Sequence, residues 1–103
     1  MSTAGASESS GSSSGALRRK CEIRNQYGVH ARPAALFVKT ANKFASNVSV
    51  ETKGLTVSGK SIMGLLTLEC HQGEVITLVA DGPDADEALD ALQSLIDAKF
   101  HED

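Results

Sequence analysis

With 103 residues, 41% of them apolar, and a net charge of −3, the chain suits one small domain with a core of modest size. Such a domain has little room for a deep cavity around a large substrate, which favours a surface site, and the charge points neither to nucleic acid nor to an anionic membrane as a partner. The charge is unevenly spread, with seven bases and one acid from Arg18 to Lys43 but eight acids and one base from Asp81 to Asp103, so part of the surface is expected to be basic.

The opening MSTAGASESSGSSSGA holds seven serines and three glycines, a composition that cannot offset the entropy of ordering. A disordered tail is expected over residues 1–17 and a folded domain over 18–103. No apolar run resembles a signal peptide, and nothing approaches the roughly 20 apolar residues of a membrane span. Cys21 and Cys70 form no disulfide framework. The expectation is a cytoplasmic protein with two buried, reduced thiols.

KCEIRN alternates, with Cys21 and Ile23 on one side and Lys20, Glu22 and Arg24 on the other, as in a half-buried strand. NQYG breaks it. Beyond Pro33, the spacing of Ala34, Phe37, Val38 and Ala41 predicts a helix over about 31–42, and proline is tolerated in a first turn that needs no N–H donor there. NVSVET and LTVS, alternating through Val48 and Val50 and then Leu55 and Val57, flank Lys53-Gly54 as the strands of a hairpin. IMGLLTL is a short helix with Ser61 as its N-cap, weakened by Gly64. EVITLVA is a strand apolar enough for a well-covered position. GPDADEALDALQSLIDAKF is the clearest helix: Asp84 and Glu87 stand at capping-box spacing, and Ala88, Leu89, Leu92, Leu95, Ile96 and Phe100 keep its period. The order βαββαβα predicts an α+β open-faced β-sandwich, a four-stranded antiparallel sheet with three helices on one face.

His30 precedes the first turn of the first helix, where unpaired N–H groups and the helix dipole favour an anion. Arg32 adds fixed positive charge. Imidazole is a competent nucleophile near neutral pH, so this constellation suits phosphoryl transfer, although a capping histidine beside a solvated arginine is the plainer alternative. His71 and His101 have no partners at ligand spacing, so no metal site is expected, and both read as surface histidines. No carboxylate pair, serine triad order or metal cluster supports a stand-alone hydrolase.

The stretch GVHARPAALFVK closely resembles the active-site segment of the histidine-containing phosphocarrier proteins, HPr, of the bacterial phosphotransferase system. The likeness runs on through GKSIMGLLTL, QGEVITL and the acidic last helix, from about Arg18 to Phe100. It implies a phosphocarrier without a cofactor, rather than an enzyme that turns over substrates alone. His30 would take a phosphoryl group on Nδ1 from phosphorylated enzyme I, charged by phosphoenolpyruvate, and pass it to an enzyme IIA in sugar uptake. Arg32 would neutralise the transferred group and Pro33 would fix the helix entry.

The resemblance also makes Ser61 a regulatory serine, with HPr kinase/phosphorylase and a transcriptional regulator as further partners. Ile62, Met63 and Leu66 are either core or docking surface, with Lys39 and Lys60 joining Arg32 in a basic rim that would steer an acidic partner. Tyr27 and Val29 depart from the family's usual residues, and the C-terminal stretch is also similar to NPr, the nitrogen-branch paralogue. A regulatory binding module gated at Ser61 is the competing class, and a monomer is the simplest expectation.

Overall fold

A computed structural model describes residues 15–102; the serine-rich stretch read as a tail lies, up to residue 14, outside the described residues. The chain runs β1 (Leu17–Glu22), α1 (Ala31–Ala41), β2 (Asn47–Thr52), β3 (Leu55–Ser58), α2 (Ile62–Thr67), β4 (Val75–Asp81) and α3 (Ala85–Asp97). A tight turn, Lys99–His101, follows. The strands form one antiparallel sheet in the order β1-β4-β2-β3.

One face of that sheet presents Cys21, Val48, Val50, Ile76, Leu78 and Ala80 to the helices, and the core closes with Ala34, Phe37, Leu65, Leu89, Leu92 and Ile96. The predicted open-faced sandwich is therefore the fold. The Lys53-Gly54 hairpin forms as expected: Thr52 pairs with Leu55, and both turn residues take positive φ, 55° and 76°, as a type I′ turn requires.

Five details depart from the expectation. Helix α3 ends at Asp97, so Phe100 lies beyond the helix whose period it was read to keep, in a left-handed turn. Strand β1 starts at Leu17, which pairs with Ala80 although its polar neighbours place it in a tail. Leu55 does not join the core; it lies exposed on β3, an edge strand of which only Val57 is partly covered. Strand β4 is central, yet its second face is only partly covered and Val75 is exposed. The capping box of α3 does not form, because the Asp84 carboxylate turns away from its own helix. It accepts the N–H groups of Ala45 and Ser46, each at 2.9 Å, and the Ser46 hydroxyl at 2.5 Å, tying α3 to the loop before β2.

The uneven charge of the sequence is partly cancelled across the fold, where three of the seven bases from Arg18 to Lys43 meet acids. Arg18 pairs with Glu51, Arg19 with Asp90 at 2.6 Å and Asp86 at 3.6 Å, and Arg24 with Asp97 at 3.5 Å. Arg19 pairs in register with the fully buried Leu78, so its stem lies on the inner face while its head reaches α3. The basic surface left over is smaller than the sequence suggests, because chain segments of opposite charge lie side by side.

The end of the chain takes an unusual conformation. Lys99, Phe100 and His101 all have left-handed backbones, with φ of 57°, 55° and 60°. None is glycine, and each costs about 1–2 kcal/mol in that region. Phe100, only 2% exposed, anchors the turn in the core. The Glu102 N–H then donates to the Lys99 carbonyl at 3.0 Å, which sets the direction of residue 102.

Candidate functional site

The loop from Ile23 to His30 is held from below by the loop between α2 and β4. Ile23 exchanges two backbone hydrogen bonds with that loop, donating to Glu74 and accepting from Gly73, each at 2.8 Å, and the Val29 N–H donates to the Cys70 carbonyl at 3.0 Å. Gly28 crosses so close to Cys70 that a Cβ there would stand 2.2 Å from the Cys70 carbonyl oxygen, and its φ of +68° suits glycine. The Asn25 side chain, buried, donates to the Gly28 carbonyl at 2.7 Å. His30 thus sits on a loop with few alternatives.

His30 is the N-cap of α1, and its carbonyl accepts the Ala34 N–H at 2.9 Å. Its ring makes no capping bond to the helix. His30 is therefore an N-cap by position whose side chain does not cap the helix. The side chain is 44% exposed, its Nε2 lies 2.8 Å from Glu102 Oε2, and the Tyr27 ring meets it edge-on at a centroid distance of 6.4 Å. Arg32 is exposed in the first helical turn and makes no ion pair among the described residues. Pro33 is buried in that turn, with its missing N–H where no partner is needed.

His30 and Arg32 share an open cleft of about 500 Å³ with Tyr27, His101 and Glu102. Sequence reasoning placed only the first two in a site. His101 is an exposed histidine, as read, but the left-handed turn carries it into the same cleft. Glu102 had no detectable signal, because one more acid in an acidic stretch looks like solvated charge. The thiols offer no rival nucleophile: both are buried, and burial pushes them up from the ordinary thiol range.

At α2 the Ser61 hydroxyl accepts the Gly64 N–H at 3.0 Å, the predicted cap. Ile62 and Met63 are exposed, Met63 by 75%. Leu66 instead packs partly against the core. Lys39 is exposed at the end of α1, but Lys60 is less available as a rim charge, because its ammonium donates to the Phe44 carbonyl at 2.9 Å. Among the described residues no group of three or more histidine, cysteine or acidic side chains converges as a metal site, and no helix is long and apolar enough to cross a membrane.

The family model for the PTS HPr component phosphorylation site matches residues 17–98. The chain belongs to the HPr family. An HPr from Thermoanaerobacter tengcongensis superimposes with a TM-score of 0.81 at 49% identity, covering 84% of this chain and 98% of that one. The HPr-like protein Crh of Bacillus subtilis is 46% identical over 80 residues, which are 78% of this chain and 94% of Crh. A phosphocarrier protein NPr of Shewanella violacea is 42% identical over 86 residues, 84% of this chain and 94% of the relative. These relatives share the HPr frame and carry the names of different branches.

Proposed function

We propose that His30 is the phosphoryl acceptor of this phosphocarrier, taking the group from phosphorylated enzyme I and handing it to an enzyme IIA in sugar uptake. The observation that carries the reading is the placement of the ring: a histidine at a helix mouth, unspent on capping, partly exposed, and sharing an open cleft with Arg32. Exposure matters because the group must leave as readily as it arrives. Arg32 neutralises charge on the phosphoryl oxygens during transfer. Pro33 fixes the approach of the helix, whose first-turn amides add donors.

Docking falls to the exposed Ile62 and Met63 of α2, with Arg32 and Lys39 as the basic rim; Leu66 supports that surface and Lys60 borders it. Ser61 lies at the edge of this patch and is partly exposed. A phosphate there would add a charge of about −2 beside the apolar contact and weaken docking. This supports regulation at Ser61 by a kinase as a second layer on the carrier function. Relatives named HPr and NPr both match the chain, so the choice of enzyme I is what separates the sugar and nitrogen branches.

Intact mass after incubation with phosphoenolpyruvate, magnesium and a sugar-branch enzyme I tests the reading. One phosphate that is lost in brief acid treatment, and absent from His30→Ala, is expected. Label retained by a folded His30→Ala protein overturns the assignment, and charging only by a nitrogen-branch enzyme I overturns the sugar branch.

A further inference from the structure

We propose that Glu102 is a positioning residue for transfer at His30, holding the ring with its hydrogen on Nε2 so that the lone pair on Nδ1 is the nucleophile. The inference rests on the carrier reading of His30 and adds to it the group that selects the reacting nitrogen.

An ionised carboxylate only accepts hydrogen bonds, so the 2.8 Å contact between Nε2 and Glu102 Oε2 makes Nε2 the donor. A neutral imidazole carries one N–H; with that hydrogen on Nε2, Nδ1 keeps its lone pair. The carboxylate is itself held. Its other oxygen, Oε1, accepts from Asn25 Nδ2 at 3.2 Å, and the same nitrogen donates to the Gly28 carbonyl at 2.7 Å. Asn25 is 1% exposed, so a buried amide on the His30 loop orients the acid that orients the ring.

The third element is the delivery of Glu102. Three consecutive left-handed residues, anchored by Phe100, bring the chain back from the end of α3 to the mouth of α1. A right-handed continuation of α3 would direct the chain elsewhere. The strained turn therefore has a definable purpose, which is to place one carboxylate beside one ring nitrogen.

In the transfer step the Nδ1 lone pair forms the N–P bond while the bond from phosphorus to the donor breaks, its electron pair staying with the donor. The ring keeps its Nε2 hydrogen and gains positive charge. Glu102 faces that charge at hydrogen-bond distance, as an orienting carboxylate does behind other reactive histidines. Return transfer reverses each change.

The test joins spectroscopy to kinetics on the full chain. In ¹⁵N-labelled protein, long-range ¹H–¹⁵N correlation should place the His30 hydrogen on Nε2 and show it protected from exchange. Glu102→Ala should lose that protection and accept phosphate from enzyme I on the order of 10-fold more slowly, the low end of what losing a carboxylate behind a metal-bound histidine costs. Glu102→Gln should keep an acceptor for the Nε2 hydrogen while still slowing transfer, because the charge is gone. A labelled wild type with Glu102→Ala equally fast, or a hydrogen found on Nδ1, overturns the inference alone. A wild type that takes no label removes the carrier reading as well.

Discussion

At the start of α2 the Ser61 hydroxyl is spent on its own helix, accepting the Gly64 N–H; at the start of α1 the His30 ring leaves its helix alone and turns to Glu102. Both residues are extended N-caps at the entry of an element that packs on the same sheet. The difference lies in what each side chain is free to do. A cap that bonds its helix stabilises the fold, whereas one that does not leaves both a reactive group and the helix's first amides to a ligand. The mouth of α3 shows a third use, since Asp84 ties its helix to a distant loop.

The largest effect expected from breaking this contrast is at His30. His30→Ala should abolish acid-labile phosphorylation while leaving the thermal transition nearly unchanged, since the side chain is largely outside the core; mass spectrometry and melting curves read the two halves. Gly28→Ala attacks the loop instead of the ring. Its Cβ meets the Cys70 carbonyl oxygen at 2.2 Å in a left-handed backbone, so a loss of about 2–4 kcal/mol in urea unfolding is expected.

Ser61→Ala should cost about 1 kcal/mol, the ordinary value of a lost N-cap, with phosphorylation of His30 retained. If it abolished acceptance at His30 without unfolding the protein, the division of labour between the two helix mouths would be wrong.

The smallest effect is a pH dependence shared by other parts of the fold. The Ser46 hydroxyl and then the Ala45 amide hold the Asp84 carboxyl below its usual range, and the hydrogen bond from Lys53 does the same for Glu74. A carboxyl depressed by folding contributes stability that is full above its unfolded pKa and is lost as pH falls through the folded value. Lys53 is raised, mainly by its bond to Glu74, so its contribution is full below its unfolded pKa and is lost only as pH rises through the raised value. The urea midpoint should therefore hold from about pH 7 to about pH 5 and fall below that, where Lys53 stays charged. Asp84→Asn should flatten that fall; an unchanged slope would show that Asp84 does not contribute to it.

Much of this was legible before the fold was known. Period and turn chemistry announced every element, because Val48 and Val50 alternate where Ala88, Leu92 and Ile96 repeat, and Lys53-Gly54 can scarcely be anything but a hairpin turn. The illegible parts share one cause, which is dependence on residues far away in the chain. Leu55 could not reveal that its strand would lie at an edge, nor Asp84 that Ser46 would outbid its own helix. Glu102 is 72 residues from His30 and reaches it only through a left-handed turn that no residue type there advertises.

The contact between Glu102 and His30 also has a practical meaning for anyone attaching something to this protein. Strand β1 enters the sheet at Leu17, opposite Ala80, and reaches the loop that leads to His30 only after Glu22, roughly 17 Å further along the strand. A fluorophore, affinity handle or surface linker joined ahead of Leu17 starts at the far edge of the fold. The same addition made beside Glu102 disturbs the carboxylate that touches the ring, so the point of attachment decides whether a reporter observes the chemistry or interferes with it.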